Sequence, residues 1–247
     1  MTIQIALAAL AALAVTLAAP AASAEPAVVI VPTPELIART QASPPAKWPF
    51  ALVDARSEVE FAEGHIPGAV LVPAKVTGKL LPKISPDKGR LVIFYCNGPT
   101  CTKSGKAAKD AAAAGYTNVA EYRDGLPGWT KAGQRAEGTP YPPFEAAAVA
   151  PPALAAELKA GAKVLLVDIR DADEYDAGHL PGALNVPLDE IPGKVAKLPA
   201  GRIVIVDHAG HQTAVAARLL AKLGRKELSR LDGGVLTWKA GGLPVTK

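Results

Sequence analysis

LVDARSEVEFAEGHIPGAVLVP, residues 52–73, returns as LVDIRDADEYDAGHLPGALNVP, residues 166–187, at a constant offset of 114. Similarity sustained in register over that length marks the chain as a tandem duplication. Later landmarks return at smaller offsets: VIFY (92–95) matches IVIV (203–206) at 111, and DGLPGW (124–129) matches GGVLTW (233–238) at 109. The second drop, 111 − 109, assigns two extra residues to the first copy, in the loop that follows VIFY. Each copy alternates short apolar, β-branched runs such as LVDAR and LVIFY with Ala-rich helical segments such as GKAAKDAAAAG, which stops at Gly115. Runs that are apolar throughout suit strands buried on both faces of a parallel sheet, so each copy reads as an α/β domain of about a hundred residues.

Working outward, the expected boundaries are a signal peptide at 1–24, a first domain at 25–137, a Pro-rich linker at 138–153 and a second domain at 154–247. The prolines of EGTPYPPFEAAAVAPPA (137–153) argue against a regular strand ladder in that stretch. The opening MTIQIALAALAALAVTLAAPAASAEP is an uncharged apolar run ending in the small-x-small triplet Ala22, Ser23, Ala24. That pattern predicts export, and hence a periplasmic or secreted protein in an oxidising compartment. An uncleaved anchor is the alternative, since no Lys or Arg stands near the start. No later run is long and apolar enough to cross a bilayer, so no stable membrane insertion is expected once the signal is removed. The net charge of +4, from 27 basic and 23 acidic residues, is dispersed and carries few aromatics, which excludes a nucleic-acid partner. Two cysteines cannot make a disulfide-rich scaffold.

Both cysteines lie in YCNGPTCTKSGKAA, residues 95–108. The pair admits three readings: a structural disulfide, half of a metal site, or a reactive thiolate with a companion. Cys96 ends a buried strand and precedes a helix, which puts its sulfur at the carboxyl edge of the sheet, where α/β proteins hold their ligands. Backbone amides of the following NGPTCTKS can curl around that sulfur, and the helix N-terminus adds partial positive charge. Asn97, Gly98, Thr100, Thr102, Lys103 and Ser104 are therefore the candidate substrate-binding residues. Lys103 and Lys106 supply cations that favour a thiolate and attract an anion. The second copy has Asp207 in place of Cys96, followed by HAGHQTA. A carboxylate cannot replace a thiolate nucleophile and repels an anion, so this copy is expected to be catalytically silent. His208 and His211 beside Asp207 are a weak metal signal without a fourth ligand, and a solvated loop is the preferred reading. No metal and no cofactor are called for.

The series LVDAR, E(F/Y)xxGHIPGA, a strand ending in Cys, an Ala-rich helix and GxxGW resembles the rhodanese family of sulfurtransferases. The resemblance covers nearly the whole chain after the signal, twice. It implies two tandem rhodanese-like domains, each a small five-stranded parallel β-sheet flanked by helices on both faces. It also implies that Cys96 takes a sulfane sulfur from a small-molecule donor such as thiosulfate. The resulting persulfide would pass that sulfur to a thiol or other thiophilic acceptor. The first copy departs from the family pattern, because the Arg usual five residues after the cysteine is Cys101 here. Cys101 reads either as a resolving thiol or as a small loop filler. The resemblance extends to phosphatases with a longer Cys-x5-Arg loop, but no Arg stands between Cys96 and Arg123 to grip a phosphate or arsenate. Asp54, Arg56, Glu60 and His65 recur as Asp168, Arg170, Glu174 and His179 in the copy that lacks the cysteine, which points to structural or supporting roles. An Asp–Arg pair and a His65 hydrogen bond within the GHIPGA turn are expected. Trp129 and Trp238 are expected as core anchors. The runner-up reading is a non-catalytic or thiol-redox envelope module, with a Cys96–Cys101 disulfide and an envelope protein partner.

Overall fold

The computed structural model describes residues 28–247, so the expected signal peptide lies outside the described residues. The first copy runs β1 (Val29–Ile30), α1 (Thr33–Gln41), β2 (Phe50–Asp54), α2 (Glu58–Glu63), β3 (Val70–Leu71), α3 (Thr77–Ile84), β4 (Leu91–Tyr95), α4 (Lys103–Ala113), β5 (Val119–Tyr122) and α5 (Gly125–Lys131). The second repeats it as β6 (Ala147–Val149), α6 (Pro151–Lys159), β7 (Leu165–Asp168), α7 (Ala172–Asp176), β8 (Leu184–Asn185), α8 (Ile191–Lys194), β9 (Ile203–Val206), α9 (Thr213–Lys222), β10 (Leu228–Leu231) and α10 (Gly234–Ala240). Each copy forms a parallel five-stranded sheet, ordered β1-β5-β4-β2-β3 and β6-β10-β9-β7-β8.

The central strands are apolar throughout because both of their faces are covered. Alternate residues of β4 divide between two clusters, Val92 and Phe94 with Ala107, Ala108 and Ala111 on one face, Ile93 and Tyr95 with Leu36, Phe50 and Trp129 on the other. The alanines of α4 let that helix lie close to the sheet. The second sheet is built alike, with Ile203 and Ile205 facing Ala216 and Leu220, and Val204 and Val206 facing Leu154 and Trp238. Trp129 and Trp238 are buried, and each indole N–H donates to a carbonyl, of Arg135 and Pro244 respectively.

The expected linker needs correction. Its prolines do not keep the whole of 138–153 out of the sheet: Ala147–Val149 contain none and pair with Ser229–Leu231 at the sheet edge, while Pro151 and Pro152 occupy the first turn of α6. A proline is tolerated there because its missing N–H has no helical partner to lose. The connecting segment is thus confined to residues before Ala147, and its Tyr141 and Phe144 pack against the second core.

Below the carboxyl ends of β2 and β7, the Asp–Arg pair is present twice. Arg56 donates from Nε and Nη2 to Asp54 and from Nη2 to the Gly64 carbonyl, tying the exit of α2 to the strand. Arg170 does the same with Asp168 and the carbonyl of Gly178. All four side chains are buried. The expectation for His65 is corrected, since its Nδ1 pairs with the Phe61 carbonyl one helical turn back and its ring stacks on Phe61 with centroids 3.7 Å apart. The backbone of His65, in turn, pairs with Glu137. Removing one partner of the buried ion pair strands a charge, so Arg56→Met is expected to lower stability by about 3–5 kcal/mol. Denaturant unfolding of the variant checks this, and a loss below about 1 kcal/mol would show that Asp54 finds another partner.

Candidate active site

Cys96 follows β4 directly and is 1% exposed. The loop turns back on itself at Gly98, which has φ +104° and whose carbonyl accepts the Cys101 amide at 3.0 Å. Pro99 takes the second position of this turn, where its fixed φ suits the reversal. Cys101 is thereby returned to Cys96, whose Sγ lies 3.6 Å from the Cys101 carbonyl oxygen and 3.1 Å from Ser104 Oγ in the first turn of α4. The two cysteines are free thiols. The loop is held from below by α5: the Leu126 amide donates to the Cys96 carbonyl, and a Cβ on Gly125, at φ +62°, would lie 2.2 Å from that oxygen. Only glycine fits this position.

Burial pushes the Cys96 thiol up, yet it is held below the ordinary cysteine value by hydrogen bonds from the Cys101 thiol, the Ser104 hydroxyl and the Ser104 and Asn97 amides. Cys101 is driven the other way, far above the ordinary value, by its hydrogen bond to Cys96, by burial and by the Cys96 charge. The arrangement is one thiolate with a protonated thiol beside it. Ser104 Oγ lies 2.8 Å from Glu121 Oε1 as well, so Glu121 competes with the Cys96 sulfur for its single proton, and Arg123 pairs with Glu121 Oε2 at 3.0 Å.

The second copy builds the same cradle around a carboxylate. Asp207 follows β9, is 1% exposed, and accepts the Gly210 amide at 2.6 Å and the Gln212 amide at 2.7 Å. Gly234, at φ +60°, supports it as Gly125 supports Cys96, and the Val235 amide donates to the Asp207 carbonyl. The expected two-residue difference is divided between loop and helix. Residues 97–101 precede the N-cap Thr102 of α4, against 208–211 before Gln212 of α9, and α4 has 11 residues against 10. The second copy is thus one residue shorter in the loop and one residue shorter in the helix.

The rhodanese-like domain family matches the chain twice, at residues 33–132 and 151–241. The chain belongs to that family. Among its relatives are an HTH-type transcriptional regulator of Mycobacterium tuberculosis, 40% identical over 85 residues, covering 34% of this chain and 38% of the regulator. A sulfurtransferase of Allochromatium vinosum is 36% identical over 83 residues, covering 33% of this chain and 78% of that one. A thiosulfate sulfurtransferase of Pseudomonas putida is 33% identical over 92 residues, covering 36% and 83%. The chain thus spans less than half the regulator but most of the two short sulfurtransferases. The crystal structure of a thiosulfate sulfurtransferase from Pseudomonas aeruginosa covers 83% of this chain and 43% of its own, at 26% identity and a TM-score of 0.38.

The two rhodanese-like domains meet at their loops. Thr100 is hydrogen-bonded to His211, Lys103 donates to Asp171 at 3.0 Å, and Lys75 donates to the other oxygen of Asp171 at 3.1 Å. Glu60 is held by Asn97 from its own domain and by Gln212 from the other, and Glu63 pairs with Arg218. Burial alone would raise the Glu60 carboxyl, but Arg56, Lys103 and these hydrogen bonds bring it below the ordinary carboxylate value. Glu60 therefore acts between domains, beyond the supporting role within its own copy. Between the loops remains a cavity of about 20 Å³, bordered by Thr100, Cys101, Lys103, Glu174, His211 and Gln212. Such a space holds roughly one water molecule.

Of the residues expected to bind substrate, Ser104 touches the Cys96 sulfur and Asn97 offers its amide, while the Asn97 side chain is committed to Glu60. Gly98 and Thr102 shape the loop, and Thr100 and Lys103 face the second domain. Lys106 is removed from the sulfur and pairs with Asp110. Sequence reasoning missed Glu121, Gly125, Asp171 and Gln212. A signal for Glu121 and Arg123 was present at the offset of 109, where the second copy carries Arg230 and Asp232 with the charges exchanged. Lys103, 15% exposed in its side chain, has Asp171 where an anion would otherwise bind. Asp171→Asn is expected to loosen this closure and raise the alkylation rate of Cys96 by iodoacetamide roughly ten-fold, equivalent to about 1.4 kcal/mol. An unchanged rate would show that the Lys103–Asp171 pair does not limit access.

Proposed function

We propose that this protein is an exported sulfurtransferase in which Cys96 accepts sulfane sulfur from an anionic donor and hands it to a thiophilic acceptor. The observation that carries the reading is the unbonded Cys96 sulfur at the end of β4, held below the ordinary cysteine value by donors from its own loop. With thiosulfate as donor, the thiolate attacks the outer sulfur, the sulfur–sulfur bond breaks, and sulfite leaves with its electron pair. Cys96–S⁻ and S–SO₃²⁻ thus give Cys96–S–S⁻ and SO₃²⁻. The loop donors that stabilise one sulfur anion serve the terminal sulfur of the persulfide next. Sulfurtransferases among the relatives, including a thiosulfate sulfurtransferase of Pseudomonas putida, support the donor class.

The second domain is the silent one in this reading, because the Asp207 carboxyl already fills its cradle and offers no thiol to carry sulfur. Its role is to cap the first site, with Asp171 occupying Lys103 until a donor anion competes for it. Export rests on the apolar opening segment and its Ala22–Ser23–Ala24 triplet. The described residues include no helix long and apolar enough to cross a membrane.

Cys96→Ser tests the assignment. Sulfite release from thiosulfate is expected to fall at least about a hundred-fold while the thermal transition is kept, and the one-sulfur mass adduct of the native protein is expected to vanish. Sulfite release at the native rate by the Ser variant would overturn the proposal.

A further inference from the structure

The Gly98–Cys101 turn has a chemical consequence that rests on the sulfurtransferase reading. It brings the Cys101 backbone, its carbonyl oxygen 3.6 Å from Cys96 Sγ, against the sulfur that would carry the persulfide, with the Cys101 thiol in hydrogen-bond reach of that sulfur. The second copy serves as an internal comparison: its loop is one residue shorter, its central group is a carboxyl, and no thiol occurs anywhere in it. Cys101 is partly exposed, whereas Cys96 is buried. On its outer side Cys101 borders an open depression of about 510 Å³, where Lys109 stands beside the ion pairs Lys106–Asp110 and Arg123–Glu121, which gives a small anion a way out to solvent. We propose that Cys101 is a resolving thiol that converts the Cys96 persulfide into hydrosulfide and a Cys96–Cys101 disulfide, which an external dithiol then reopens.

The step balances without an added oxidant. The Cys101 sulfur attacks Sγ of Cys96, the bond between Sγ and the outer sulfur breaks, and the outer sulfur leaves with that electron pair. The Cys101 proton ends on the departing sulfur, so Cys96–S–S⁻ and Cys101–SH give the disulfide and HS⁻. In this step the Cys101 sulfur is oxidised by one electron and the outer sulfur is reduced by one, while Sγ of Cys96 exchanges one sulfur–sulfur bond for another. A dithiol returns both cysteines to thiols and becomes a cyclic disulfide itself. The same bond shields Cys96 from the irreversible oxidation that an exposed thiolate suffers. The attacking form is the Cys101 thiolate, so its proton must pass to the outer sulfur as the attack takes place.

A single-turnover experiment tests this. The full-length protein is loaded with one equivalent of thiosulfate or inorganic polysulfide, without acceptor, and followed for sulfite, hydrosulfide and free thiols. The native protein is expected to release one hydrosulfide per chain and to lose both thiols to iodoacetamide until dithiothreitol is added. Cys101→Ala, and Cys101→Ser as a second small replacement that keeps a donor, should still load, the Ala variant more slowly for want of the hydrogen bond to Cys96, and both should keep the persulfide at least about ten-fold longer and release no hydrosulfide. Native protein that ends as a stable persulfide with Cys101 still free, or variants that release hydrosulfide at the native rate, would overturn the resolving role and leave the sulfurtransferase reading intact. A chain that takes sulfur from neither donor would overturn both.

Discussion

A single acidic side chain is held at the end of the third strand in each sheet order, in a ring of donors that the chain's own loop supplies. In the second domain it is Asp207, fixed by the amides of Gly210 and Gln212, although burial pushes its carboxyl above the ordinary value. In the first it is the Cys96 sulfur, met by Ser104, Cys101 and nearby amides. An amide-lined loop at the head of a helix favours an anion whatever atom bears it. Replacing oxygen by sulfur at that point turns a structural plug into a nucleophile. Other features follow from the need to hold the ring: glycines at positive φ beneath it, at 125 and 234, and a sheet whose buried strands deliver the acidic residue to its carboxyl edge.

The same loops organise the domain interface. Residues from one domain reach the loop of the other in both directions, with Asp171 on Lys103 and Glu60 on Gln212. The active loop is left facing a space of about 20 Å³. In the proposed reading the second copy, with Asp207 where the first has Cys96, serves as a cover for the first site. Lys103 is salt-bridged to Asp171 across the interface, so an anion drawn to Lys103 would have to compete with that closure.

The duplication, the two parallel sheets and the position of Cys96 were legible because they depend on local pattern: apolar runs, glycine stops and a cysteine at a strand end. The strand Ala147–Val149 was not, because three small residues among prolines become a strand only when Ser229–Leu231 offer an edge. The contacts of Glu60, Asp171 and Gln212 escaped for a related reason, as they pair residues far apart in the chain and brought together by the packing of two domains. The two-residue offset was legible, but its division between loop and helix depends on where α4 and α9 begin. Glu121 and Arg123 were visible as charges but not as neighbours of Ser104, which only the packing of α4 against β5 shows.

The central claim is that the first cradle holds its anion as a thiolate. Ultraviolet thiolate absorbance measured against pH tests it most directly on the folded protein, compared with Cys96→Ser. The account predicts one thiolate that forms as pH rises through a midpoint below about 8.5, the ordinary free-cysteine value, and that is missing in the Ser variant. Cys101 should contribute no ionisation in that range while Cys96 is charged. A Cys96 midpoint at or above the ordinary value would contradict the account.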